Sequence, residues 1–414
     1  MQRIPLDRTP ELLRPGLTVY AAGCAGQPDG VIGAWRNAPG CAEGVSFTGV
    51  YIPGVNGVDY SELGPGARMR TFFLAPEFRR GFAAGRIEFL PLHYTRIYPY
   101  LRDAAGVGLA VFQVSPPDAD GTVTLGVSCD FTPALLEAGV PTLAVVNPNM
   151  PRTSGGPVLP LDGFTWVTEA DTPLAGLETG DVPDDIAGVG SVIANLVNDG
   201  DTIQLGLGKV QAAVLRALEG RTGLGIHAGM ISDPVLPLLE DGALERVTTN
   251  VALGGPELYA ACATDPRIRF TSVAHTHDFD VLRRIPKLVS VNSVIEIDLF
   301  GQGNAEMMGG RQVSGHGGLV DFLRGARYAP GGRSILATAA TAKDGTISRI
   351  VPRLDPATVT TTLRADADLV VTEYGVADLR HGDVDARAAA LISVAAPQFR
   401  DDLSRAWREA RQSM

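Results

Sequence analysis

Thr202-Ile203-Gln204-Leu205-Gly206-Leu207-Gly208-Lys209-Val210 decides the fold class of this chain. A short apolar, β-branched run enters a glycine turn, and helical periodicity follows from Val210 to Leu218, which is how a strand feeding a crossover helix reads. Upstream, Ile186 to Leu196 is helical in pattern and Asp199-Gly200-Asp201 turns into the strand. The same strand and glycine turn stand near the start of the chain, where Leu17 to Ala22 opens onto Gly23-Cys24-Ala25-Gly26. Val107 to Val114 and Thr142 to Val146 add two more buried-strand patterns, closed by Ser115-Pro116-Pro117-Asp118 and Asn147-Pro148-Asn149. The expectation is an α/β protein of two domains of similar build. Between Thr172 and Asp185 the composition turns to Pro, Gly and Asp without periodicity, which marks a linker and predicts domains at 1–184 and 185–414.

At 414 residues the chain exceeds the size at which one core keeps growing. Its 45% hydrophobic and 20% charged content is that of a globular protein. A net charge of −11 argues against nucleic acid or an anionic membrane as a partner, since both demand a basic face. Cys24, Cys41, Cys129 and Cys262 form no C-x-x-C pair, so neither a zinc site nor a disulfide framework is expected, and no metal is. The N-terminus lacks the apolar stretch of a secretory signal, and no apolar run is long enough for a membrane helix. A cytoplasmic protein, assembled as a homo-oligomer with a dimer favoured, is expected.

Three segments carry candidate chemistry. Gly206 and Gly208 before Lys209 suit either an anion at a helix N-terminus or a tight strand-to-helix turn, and the turn is the commoner use. Ser314-Gly315-His316-Gly317-Gly318 lets several backbone amides converge on one oxygen, as a thioester carbonyl or tetrahedral oxyanion requires. Val289 to Leu299, taken as one strand, places Asn292, Glu296 and Asp298 on one face. His275-Thr276-His277, on a presumed strand, puts two imidazoles on one side; the structural reading is preferred to a metal pair.

Taken together, these segments resemble the acetyl-CoA hydrolase/transferase family, in its 4-hydroxybutyrate CoA-transferase branch. The resemblance is carried by Ser115-Pro116-Pro117-Asp118, Gly126-Val127-Ser128 and Asp130, Gln204-Leu205-Gly206-Leu207-Gly208, and Gly225-Ile226-His227 with Met230-Ile231-Ser232-Asp233. It continues through Asn292-Ser293, Glu296 to Gln302, Gly317-Gly318, Asp321-Phe322 and Val371 to Ala377, nearly the whole chain in order. It implies a class I CoA-transferase-like fold, an active site between the two domains and coenzyme A held mainly by the C-terminal one. It implies no permanently bound cofactor, with coenzyme A part of the substrate and a small carboxylate or water as acceptor. In the family a glutamate attacks the acyl-CoA and becomes a glutamyl-CoA thioester; Asn292 matches the active-site asparagine, and Gly317-Gly318 match the oxyanion loop. The loop from Gly315 to Gly318 is expected near the thioester carbonyl, and Gly206 and Gly208 are expected among the residues that bind coenzyme A.

The sequence departs from that pattern at three places. Gly229 stands where the family has its glutamate, His316 where it has a small apolar residue, and Leu319 where it has a glutamine. With no side chain at Gly229 a glutamyl thioester cannot form there. The expected chemistry is therefore hydrolysis of a thioester, or hydrolytic C–C cleavage of a β-ketoacyl-CoA, with His316 as the base for water and His227 second to it. The alternatives are transfer between carboxylates through Glu296 or Asp233, and acyl-CoA binding without turnover.

Overall fold

The structure, a computed structural model, describes residues 1–177 and 180–414. Two residues of the predicted linker, Glu178 and Thr179, lie outside the described residues. The chain divides into two compact units. The first holds Met1–Glu178, Gly229–Asp233 and Val247–Thr276; the second holds Thr179–Ala228, Pro234–Arg246 and His277–Met414. The first unit thus takes in Gly229–Asp233 and Val247–Thr276, which the sequence reading had placed within 185–414.

In the first unit, eight described strands form a wholly parallel sheet. They are β1 (Gln2–Arg3), β2 (Thr18–Ala21), β3 (Ser46–Gly49), β4 (Arg68–Thr71), β5 (Ile87–Phe89), β6 (Leu109–Val114), β7 (Thr142–Val146) and β8 (Trp166–Glu169). Their spatial order is β1-β8-β7-β6-β2-β3-β4-β5. All six residues of β6 are buried, which explains why this strand reads as a continuous apolar run rather than an alternation. Val19, Val111 and Leu143 of the sheet pack with Val31, Ile32 and Trp35 of α1 (Asp29–Arg36) and with Phe47, Tyr60 and Phe78 in one core. From β2 the chain steps outward through β3 to β5; from β6 it steps the other way through β7 and β8. The direction reverses between β2 and β6, which pair in register from Val19 opposite Leu109 to Ala21 opposite Val111.

The second unit repeats the plan. Strands β9 (Thr202–Leu205), β10 (Leu224–His227), β11 (Leu288–Ser293), β12 (Arg333–Ala337), β13 (Leu369–Thr372) and β14 (Gly375–Asp378) lie in the order β10-β9-β11-β12-β13-β14. All pairings are parallel except β13 with β14. Here the reversal falls between β9 and β11. The expected helix after the glycine turn is α2 (Lys209–Arg216), and Gly208 caps it with φ of 114°, a backbone conformation that favours glycine. Helix α3 (Leu319–Tyr328) follows the glycine-rich loop. It buries Leu319, Val320 and Leu323 against Leu336, Val370 and Ala377.

Two expected strands are corrected. Val289 to Leu299 is not one strand. β11 ends at Ser293, and Glu296–Asp298 pairs instead with Gly303–Asn304 and Ile350–Val351, so Asn292 does not share a strand face with Glu296 and Asp298. Residues 275–277 are not a strand either. Val273–Thr276 is a helical turn, with His275 exposed and His277 buried.

Candidate active site

In open α/β sheets, ligands collect beyond the carboxyl ends of the strands where the order reverses. In the second unit that place is the end of β9 and β11, and the residues there are Gln204, Ser290, Asn292 and Ser293. The Asn292 Nδ2 donates to Gln204 Oε1 at 2.9 Å and to Ser290 Oγ at 2.8 Å, and the Ser290 hydroxyl donates to Gln204 Oε1 at 2.7 Å. Gln204 and Ser290 are buried and Asn292 is 8% exposed. The amide of Asn292 is therefore held by its nitrogen. Among the described residues nothing donates to its carbonyl oxygen, which leaves a fixed acceptor at the mouth of the sheet. Gln211 of α2 reaches across to the neighbouring position, its Nε2 donating to Ser293 Oγ at 3.1 Å.

His227 ends β10 and is buried. Its imidazole lies near enough to His277 to act on its titration. Burial first, and the charge of His227 second, lower the His277 pKa from 6.5 to about 3, so the ring is neutral under ordinary conditions. The His277 ring packs on Phe322 of α3 with centroids 4.5 Å apart. It also lies directly over Gly318, where a Cβ would fall 2.4 Å from the ring Cδ2 and Nε2. The second glycine of the pair is thus demanded by an imidazole, in addition to any use of its amide.

The loop itself is built for backbone exposure. Gly317 has φ of 56°. Gln312 Nε2 pins the strand before it, donating to Ser314 O at 2.8 Å, while Leu319 N donates to His316 O at 3.2 Å and closes the turn into α3. Among the described residues the N–H groups of Gly317 and Gly318 find no acceptor. His316 is half-buried, and its Nδ1 lies 3.1 Å from Gly317 O. The structure brings His227, His277 and Gly318 together and sets His316 two residues away on the same loop. Gly206 and Gly208 stand at the end of β9, Gly206 half-buried and Gly208 exposed. Gly229 belongs to the first unit, just before Met230–Ile231, which pairs with Val251–Ala252.

The acidic candidates are engaged elsewhere. Asp233 Oδ1 accepts from Gly255 N at 2.9 Å, and Glu296 Oε1 accepts from Asn304 Nδ2 at 3.1 Å. Asp298, fully buried, ties a turn through Phe300 N and Gln302 N at 3.1 and 2.9 Å. Leu319 is a core residue of α3.

Comparison with known proteins decides the family. The N-terminal domain of the acetyl-CoA hydrolase/transferase family matches residues 45–174 and its C-terminal domain matches residues 254–407. A 4-hydroxybutyrate coenzyme A transferase of Clostridium kluyveri is 36% identical over 346 residues, covering 81% of each chain. The chain belongs to the acetyl-CoA hydrolase/transferase family. Among solved structures, RipA from Yersinia pestis superposes with a TM-score of 0.92 at 27% identity, covering 99% of this chain and 98% of its own. A 4-hydroxybutyrate CoA-transferase from Porphyromonas gingivalis gives 0.80 at 32%, covering 100% and 98%. The family's members also include hydrolases: an acetyl-CoA hydrolase of Neurospora crassa is 24% identical over 406 residues, covering 83% of this chain and 75% of its own. Coenzyme A thioesters are thus the substrate class of this family, and both water and carboxylates serve its members as acceptors.

The sequence reading singled out Asn292 and the glycine loop but missed what holds them. Ser290 is legible in hindsight, two residues before Asn292 on the same strand face. Gln204 lies on a different strand, and only the register of β9 with β11 makes it a partner.

Proposed function

We propose that this protein hydrolyses acyl-CoA thioesters, with water in the role that a glutamate plays in its transferase relatives. The observation that carries the reading is Gly229 inside the frame Gly225-Ile226-His227-Ala228-Gly229-Met230. A glycine forms no anhydride and no thioester, so covalent transfer of coenzyme A through that position is closed. The alternative carboxylates, Asp233 and Glu296, hold their own loops by hydrogen bonds, which supports water over a substitute nucleophile.

In this reading the thioester carbonyl lies against the Gly315–Gly318 loop, and the N–H groups of Gly317 and Gly318 take up the oxyanion as it forms. The imidazole of His316 accepts the proton of the attacking water, while the Asn292 carbonyl oxygen holds that water by its second hydrogen. The imidazole returns the proton to the sulfur as the tetrahedral intermediate collapses and the C–S bond breaks, releasing the carboxylic acid and coenzyme A. His227 and His277, buried and adjacent, set the loop rather than exchange protons. Coenzyme A is held mainly by residues 185–414, Gly206 and Gly208 included. A β-ketoacyl-CoA cleaved hydrolytically at its C–C bond would use the same donors.

The test is His316→Ala assayed across a panel of acyl-CoAs. Turnover should fall by roughly 10²–10⁴-fold with coenzyme A affinity nearly unchanged. Full activity in that variant would remove His316 as the base. Mass spectrometry of the wild type during turnover should find no coenzyme A adduct on any glutamate. An adduct would restore the transferase reading.

A further inference from the structure

Helices α4 (Val384–Ser393) and α5 (Arg400–Gln412) border a concave surface of the second unit. It is a pocket of about 300 Å³ whose lining includes Phe300, Arg364, Gly382, Asp383, Arg387 and Trp407. That is the lower end of ligand-sized cavities. Two aromatic rings form its apolar side: Phe300 and Trp407 meet edge to face with centroids 5.3 Å apart. The indole is fixed by its Nε1–H, which donates to Asp385 Oδ1 at 2.9 Å. The Arg353 guanidinium stacks over the Phe300 ring at 4.7 Å from its centroid.

The charge around this pocket is out of balance. Neighbouring arginines are paired, Arg324 with Asp366 at 2.9 Å and Arg327 with Asp368 at 3.3 Å. Arg364 and Arg387 have no carboxylate partner among the described residues. Arg387 donates instead to backbone oxygens, from Nη1 to Leu379 O at 2.7 Å and from Nη2 to Arg364 O. Burial, then the charges of Arg327 and Arg364, lower its pKa, and the charge of Asp368, which pairs with Arg327, opposes them. The one lining carboxylate, Asp383, is occupied in capping α4, its Oδ1 accepting from Ala386 N at 2.8 Å.

We propose that this pocket binds a phosphorylated nucleoside, the base against Phe300 and Trp407 and the phosphate on Arg364 and Arg387. Paired guanidiniums suit a phosphomonoester dianion better than a single carboxylate, and planar fork donors match phosphate oxygens. None of these residues takes part in the chemical step of the thioester reading. The same chemistry has two sources, a free nucleoside monophosphate or the nucleotide end of coenzyme A.

Calorimetric titration of the full chain with AMP should give saturable one-to-one binding, weakened at least tenfold by Arg364→Glu. Adenosine, lacking the phosphate, should bind at least tenfold more weakly than AMP. The side chain of Arg364 is exposed and makes no hydrogen bond to a described residue, so the variant should keep the wild-type melting temperature. AMP should also alter the tryptophan fluorescence of the wild type but not of Trp407→Phe. Coenzyme A displaced by AMP, and weakened by Arg364→Glu, would assign the pocket to the nucleotide end of coenzyme A. Simultaneous binding of both would assign it to a free nucleotide. No AMP binding at millimolar concentration, or equal AMP affinity in wild type and Arg364→Glu, overturns the proposal.

Discussion

The two units reverse their strand order in the same way, yet the two reversals are used differently. In the first unit the ends of β2 and β6 are filled by the chain's own polar groups. Asn56 clasps Cys24 on both sides, Oδ1 accepting from Cys24 N at 2.8 Å and Nδ2 donating to Cys24 O at 3.1 Å. Gln113 Nε2 donates to Gln27 O at 2.6 Å, and Asn147 Nδ2 donates to the Gln113 side-chain oxygen. All four side chains, Gln27, Asn56, Gln113 and Asn147, are buried. In the second unit the corresponding place keeps a spare acceptor on Asn292 and a loop that meets solvent. One topology supplies two strand-end crevices, and they differ in side-chain satisfaction: the first is filled by its own hydrogen bonds, and the second keeps an acceptor free among the described residues.

The largest test of the closed crevice concerns Asp130, whose charge acts on Cys24, Cys129, Tyr20 and Tyr94 around it. Its carboxyl is buried, one oxygen has no hydrogen-bond partner, and burial pushes its pKa up to about 8. The unfolded chain releases this proton near pH 4 and the folded one near pH 8. Stability from this group is therefore present below about pH 4 and lost progressively as pH rises to about 8. Asp130→Asn should abolish that slope. Denaturant unfolding at pH 8 should find the variant more stable than wild type by on the order of 5 kcal/mol, and the two nearly equal at pH 4.

Next in size is a matched pair of glycines. A Cβ on Gly23 would lie 1.8 Å from the backbone oxygen of Val50, whereas a Cβ on Gly206 would find its nearest neighbour, Gln211 Nε2, at 3.9 Å. Gly23→Ala should cost roughly 3 kcal/mol or more, because backbone must move. Gly206→Ala should stay within about 1 kcal/mol. Equal losses by thermal denaturation would mean that the two crevices are closed alike. Between these in kind lies Gln204→Ala, which frees Asn292 and Ser290. Turnover should fall by roughly tenfold with little change in KM for acyl-CoA, as expected of a group that positions rather than binds. A rise in KM alone would assign Gln204 to substrate binding.

Much of the fold was legible. The runs Leu17 to Ala22, Val107 to Val114 and Thr142 to Val146 are strands within two residues of their observed ends, because parallel strands buried on both faces must be apolar throughout. The failures have a common cause. Val289 to Leu299 keeps strand-like composition across a break at Val294-Ile295, and period alone does not reveal that the chain leaves one sheet for another. His275 and His277 sit in a stretch too short for periodicity to separate a helical turn from a strand.

By itself the sequence determined the class of fold, the family and the absence of a carboxylate at position 229, since each is a matter of pattern along the chain. Only the tertiary structure decided that Gly318 must be glycine because His277 lies over it, that Gln204 holds Asn292, and that the Asp130 carboxyl is buried with one oxygen lacking a hydrogen-bond partner. These depend on which strands stand side by side and on how much water each group keeps, and neither quantity is written in local order.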